Sequence, residues 1–339
     1  MTGAGIATVA RQEFRLRIRA GRWRWLLGAF FGVLLGFTVL LRGALSQVTD
    51  ADLPYKGTVL YGGLVLFVLG LALLVVPALA AQSVNGDRER GTLATLQVTR
   101  LTAGDIALGK FVAAWGTSLV FLALTLPLVL YAMTQSGVPL SRVVVVTLVL
   151  AVLLGTVCAL SLCLSSLLAR TTTSGVLAYV AVFALTVGTL VAFGLVTALT
   201  TQTYRADSCA GAPRSSGCTD GEYEATRART DRTWWLLAPN PFVVLADAAP
   251  RLPREDRAGA VGLRARDLDP LGAIGGAVRD LRREPEDDGL LYLDEQPDQG
   301  AVWPAGLAFH VALAAGALRL TTWRLRTPTR SLPRGQRVA

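Results

Sequence analysis

Histidine occurs once in the 339 residues, and no Gly-x-x-x-x-Gly-Lys-Ser/Thr run is present. The lone histidine, His310, together with the lack of any Cys-x-x-Cys pair, excludes a zinc site of ordinary ligand spacing. Without a phosphate loop the chain has no backbone-amide cradle for nucleotide phosphates, and no nucleophile, base and orienting group stand in a recognisable pattern. No cofactor is expected. Charge is scarce as well: 17% of residues are Asp, Glu, Lys or Arg against 52% hydrophobic, and the mean hydropathy is +0.48. That composition excludes an ordinary soluble domain.

What is present is long uncharged stretches: Trp25 to Leu41, Gly57 to Gly86, Phe111 to Ser141, Val143 to Ala169, Thr171 to Tyr204 and Ala301 to Leu318. About 20 apolar residues, within a range of about 17 to 25, cross the hydrocarbon core as a helix, so each stretch holds one span. The expected fold is an all-α polytopic membrane protein with six transmembrane helices. The first apolar run has 17 residues, longer than the roughly 7 to 15 of a signal peptide, so it is expected to remain as an anchor.

Basic residues fix the expected orientation. Seventeen of them (Arg11, 15, 17, 19, 22, 24, 88, 90, 100, Lys110, Arg170, 319, 324, 326, 330, 334 and 337) flank one side of the spans, against Arg42, Lys56 and Arg142 on the other. By the positive-inside rule both termini are cytoplasmic. The segment Arg205 to Gly300, with 13 basic and 18 acidic residues, exceeds the roughly 60 residues over which charge decides sidedness. The net charge of +9 is thus concentrated on one face, which anionic membrane lipids account for without nucleic acid.

The expected organisation follows: a cytoplasmic amphipathic segment 1–24, spans one to five within 25–201, an extracytoplasmic loop 202–300, span six at 301–320 and a cytoplasmic tail 321–339. In the first segment Arg11, Arg15, Arg19 and Arg22 recur at helical spacing, which suits a helix at the lipid headgroups, and plain flanking charge explains the arginines equally. Within the outer loop, 234–249 is aromatic and apolar, an interfacial or re-entrant piece. Cys209 and Cys218 lie in that loop, where an oxidising compartment lets them pair; two free thiols are the alternative. Cys158 and Cys163 read as small packing residues of span four, as do Ser161, Ser165 and Ser166. His310 falls within span six and is the candidate intramembrane polar site, with interhelical packing as the competing reading.

Between spans two and three stands a charged island, "GDRERGTLATLQVTRLTAGDIALGK", residues 86 to 110. Pro77 predicts a kink just before it. Ser83 or Asn85 suits a helix cap, Asp87 and Glu89 suit a first turn, and Thr102 to Asp105 has capping-box spacing for a second helix. The island is therefore expected as a short amphipathic helix, a break at Gly91 and a re-entry into the membrane.

The run Asp87-Arg-Glu-Arg-Gly-Thr-Leu followed by Gly109-Lys110 resembles the segment between spans two and three of ABC-2 type transporter permeases, as do the six spans, the helix before span one and the large insertion before span six. Gln97 and Arg100 depart from the usual pattern, which more often has leucine and proline there. The resemblance implies the transmembrane subunit of an ABC exporter in a bacterial cytoplasmic membrane, itself no enzyme, working as a homo- or heterodimer with a separate ABC ATP-binding subunit. It further implies a cytoplasmic coupling helix at 83–100, in which Leu93 and Leu96 anchor the ATPase subunit, Glu89 and Arg90 set the register, and Gly91 and Thr92 complete the motif. The alternatives from other classes are an ion-coupled secondary transporter, which lacks intramembrane ionisable groups beyond His310, and a membrane-anchored protein acting through its outer loop.

Overall fold

A computed structural model describes residues 2–19, 21–48, 56–89, 91, 101–135, 138–207, 222–250, 269–282 and 300–326. Among the described residues six helical stretches are long and apolar enough to cross a bilayer: Trp23–Ser46, Lys56–Glu89, Ala103–Thr134, Leu140–Leu167, Thr171–Leu199 and Trp303–Arg326. They coincide with the six uncharged runs of the sequence. The protein is thus a mostly helical, polytopic membrane protein.

Helix α1 (Gly3–Arg19) precedes α2 (Arg22–Val48), the first span. The second span is α3 (Lys56–Ala80), which ends three residues after Pro77 and passes through a turn into α4 (Asn85–Glu89). The third is α5 (Ala103–Leu124) continued by α6 (Leu126–Thr134), with Pro127 at the start of α6. The fourth is α7 (Leu140–Leu167). The fifth is α8 (Thr171–Phe183), a π-helical turn (Ala184–Gly188) and α9 (Thr189–Leu199).

Neighbouring spans alternate in direction. Contacts of Phe37 with Phe67 and Leu41 with Gly63 make α2 and α3 antiparallel. Trp115 Nε1 donates to the carbonyl of Ala151 at 2.8 Å, joining α5 to α7. The second and fourth spans form the centre, with 56% and 61% of their most apolar stretch buried, whereas the fifth has 6% buried. The fifth span therefore presents its side chains outward, to lipid or to another subunit. Two ends of the bundle can be distinguished. The island end holds α1, α4 and the start of α5; the cap end holds the described residues between the fifth and sixth spans.

At the cap end β1 (Thr201–Asp207) pairs antiparallel with β2 (Glu222–Ala228), Thr201 opposite Ala228 and Asp207 opposite Glu222. This hairpin was not anticipated by the all-helical expectation. Two short 3₁₀ turns follow, then α10 (Pro241–Ala248) and α11 (Pro270–Asp280), before α12 (Trp303–Arg326), the sixth span. The turn Pro239-Asn240 reaches about midway along the fifth span: Asn240 Nδ2 donates to the Thr186 carbonyl at 2.8 Å and to Thr189 Oγ1 at 2.9 Å. Those atoms border the π-helical turn, whose widened ladder is the place where an outside side chain can insert. Asn240 Oδ1 meanwhile accepts from Phe242 N and caps α10. The piece expected as interfacial or re-entrant is largely covered: all of α10 but Phe242 is buried, against α7, α11 and α12.

Candidate functional site

The island end is where the sequence placed its principal site. Ala103–Thr134 has 32 residues, roughly 48 Å of helix at ~1.5 Å per residue, against a hydrocarbon core of about 30 Å. That length exceeds the core, and α1 lies along its first turns in the same direction. Thr2 N donates to Asp105 Oδ1 at 2.9 Å, and Arg17 Nη1 donates to Thr117 Oγ1 at 3.0 Å. Between these points Val9 sits on Gly109, where an added Cβ would lie 2.6 Å from Val9 Cβ and 3.0 Å from the Ile6 carbonyl oxygen. Only glycine lets the two helices approach this closely. Burial pulls the Arg17 guanidinium down from its ordinary value, and Glu13 opposes that shift.

Helix α5 begins with the capping box read from the sequence. Asp105 N donates to Thr102 Oγ1 at 3.2 Å, and Thr102 N donates back to Asp105 Oδ2 at 3.0 Å. Two orphan amides of the helix start are thus satisfied without water.

One turn and a half later comes Lys110, fully buried. Its ammonium makes ion pairs with Glu13 of α1 and Asp87 of α4, and donates to the Ser83 carbonyl at 2.9 Å. All three of its protons find acceptors, which is what a buried ammonium requires. The cluster ties three elements at one point.

Helix α4 is fixed from its other side by the end of α7, the start of α8 and the turn between them. Ser165 Oγ accepts from the amides of Val84 and Asn85 at 3.2 and 3.1 Å, capping α4 from another helix. Ser83 donates instead to the Ala80 carbonyl, so neither Ser83 nor the Asn85 side chain caps α4. Arg88 Nη1 reaches the Leu168 carbonyl at 3.4 Å, and Ser174 Oγ donates to the Ala81 carbonyl at 3.0 Å. Glu89 Oε1 accepts from Thr171 N at 3.3 Å, placing a carboxylate at the N-terminus of α8, where the helix dipole favours it.

Of the residues singled out from the sequence, Glu89 is exposed on α4, and Gly91 ends that element with φ 72°, a left-handed backbone that costs other residues about 1 to 2 kcal/mol. Arg90, Thr92, Leu93 and Leu96 lie outside the described residues, as do Cys209 and Cys218. His310 is buried; its Nε2 is 3.0 Å from the Pro239 carbonyl, and its own carbonyl accepts from Thr156 Oγ1 at 3.2 Å. These bonds tie the sixth span to the Pro239-Asn240 turn and to α7. Ser165, read as packing, is a cap. Asp87, read as a first-turn residue of the island helix, and Lys110, read as a basic residue flanking span three and as part of the family motif, form the ion cluster; the available signal was a lysine about two turns inside a capped helix, at the head of a 31-residue uncharged run.

The fold and this junction together define a multi-span membrane protein with a short polar element locked onto its helices at one end. The sequence profile of the ABC-2 family transporter protein matches residues 7–207, from α1 through the first strand. The match covers more than half of the chain, which belongs to this family and is an ABC transporter permease. No curated protein matches it significantly.

Proposed function

We propose that this chain is the transmembrane subunit of an ABC exporter, in which ATP is hydrolysed by a separate ATP-binding subunit seated on residues 83–100. Under this reading the island end is cytoplasmic, both termini lie there, and two permease subunits pair in the cytoplasmic membrane. Leu93 and Leu96 enter an apolar cleft of the ATPase subunit, with Glu89 and Arg90 at its rim.

The observation that carries the reading is the bonding of α4. It is attached through Lys110 to α1 and α5, through Ser165 to α7, and through Glu89 to the start of α8. A displacement imposed on the island is therefore delivered to several helices at once, as alternating access requires. His310 Nε2 lies 3.0 Å from the Pro239 carbonyl, which supports the packing reading of this residue over a proton relay.

Leu93→Asp tests the assignment, since position 93 stands outside the long apolar runs and its loss leaves insertion intact. Loss of an interface anchor costs about 2 kcal/mol or more, roughly thirtyfold in affinity. Co-purification of the cognate ATP-binding subunit and its stimulated ATPase activity should both fall accordingly. A variant that inserts normally and still recruits and stimulates like wild type would remove the island from the ATPase interface.

A further inference from the structure

The cap end carries a second buried ion pair, and it is built differently. Arg142, in the first turn of α7, and Asp269, directly before α11, are both buried, with Arg142 Nη2 2.5 Å from Asp269 Oδ2. Arg142 Nε and Nη1 and Asp269 Oδ1 have no partner among the described residues. Asp269 occupies the N-cap position of α11 yet makes no side-chain cap bond, its carboxylate being turned to Arg142. Beside it the Pro270 ring rests on Gly62 of α3, where an added Cβ would lie 2.8 Å from Pro270 Cδ. Leu271 is fully buried underneath.

The opposite side of α11 is held far more completely. Gly275 packs on the backbone of Ala246 and Asp247, with an added Cβ 3.0 Å from the Ala246 carbonyl oxygen. Asp247 pairs with Arg279 and accepts from the amides of Val302 and Trp303 at 2.6 and 2.7 Å, capping the sixth span. Thus α11 is anchored on one side to α10 and α12 through a satisfied carboxylate, α10 itself being packed in the core, and on the other to α7 by a half-satisfied pair. Buried polar atoms without partners cost free energy in the closed arrangement, and contact with water at the mouth relieves that cost. One side is a hinge and the other is poised to release.

We propose that α11 forms a lid over the ends of α3 and α7, hinged on Asp247 of α10 and latched shut by Arg142 and Asp269, and that the latch opens during the transport cycle. The inference rests on the reading of the chain as a permease with its cap end outside.

The test places a single reporter, Leu271→Cys, in a background with Cys158, Cys163, Cys209 and Cys218 replaced by alanine. Its reaction with an impermeant thiol reagent added to intact cells is timed. Labelling is expected to be slow with the latch intact and at least about tenfold faster in Arg142→Met and in Asp269→Asn, because each leaves one buried group unpaired. The paired variant Arg142→Met/Asp269→Leu replaces the ion pair by apolar contact and is expected to return labelling to the slow rate. Locked shut, it should also lose stimulation of ATPase activity in the assembled transporter. Equal labelling rates in all four forms would overturn the latch, and so would a paired variant with wild-type ATPase stimulation, which would make the contact a static one. The same pattern of rates seen only in permeabilised cells would keep the latch and overturn the orientation beneath it.

Discussion

Gly109 and Lys110 are adjacent and act on different sides of α5. Gly109 admits Val9 of α1, and Lys110 gathers Glu13 and Asp87 into a cluster closed to solvent at the ammonium. Removing one member of such a cluster leaves the others uncompensated, while removing all charges together is much less costly. Lys110→Met is accordingly expected to destabilise the detergent-solubilised protein by about 3 kcal/mol. The triple variant Glu13→Gln/Asp87→Asn/Lys110→Met should recover most of that loss. Thermal melts of the two variants and the parent give the answer, and an unchanged melting temperature in Lys110→Met would refute the cluster as a stabilising element. The motif residues Gly109 and Lys110 were legible in the sequence as a resemblance only. Their physical reasons, a helix crossing and a buried pair, needed the partner α1.

Among the elements, the start of α5 was readable because a capping box is closed within four residues, Thr102 to Asp105. The end of α3 near Pro77 was readable for the same local reason. The cap of α4 was not, since Ser165 reaches it from 80 residues away. Nor was the hairpin, whose strands are separated by a segment containing both Cys209 and Cys218. The pairing of Asp207 with Glu222 holds the two ends of that segment together, two residues before Cys209 and four after Cys218. The hypothesis that these cysteines are bridged gains from this arrangement, because the closure entropy of the loop is already largely met. Mass analysis of a non-reduced digest should recover the two as one linked peptide pair. Recovery of separately alkylated peptides would end it.

For the whole molecule the alternation of six spans puts α1, α4 and the turn before α8 at one end and α10 and α11 at the other. Under the proposed orientation, drawn from the arginine bias, the first end is cytoplasmic. Cysteines introduced singly at the exposed positions Thr134 and Gly300 should therefore react with an impermeant thiol reagent outside intact cells, and those at exposed Gln12 and Gln82 should not. The reverse pattern would invert the topology. The sparse burial of the fifth span, 6% of its most apolar stretch, also leaves a broad apolar face for lipid or the second permease subunit.

The number of spans, their boundaries and the start of the re-entry helix were determined by the sequence itself, because bilayer thickness and the need to satisfy backbone groups act on contiguous residues. The asymmetry of charge between the two ends is equally a property of order along the chain. Which carboxylate meets which cation was decided by the tertiary structure alone. Lys110 finds Glu13 and Asp87 at separations of 97 and 23 residues, and Arg142 finds Asp269 at 127. A charge beside an apolar run looks the same in sequence whether water or a buried partner awaits it, and packing is what removes the water.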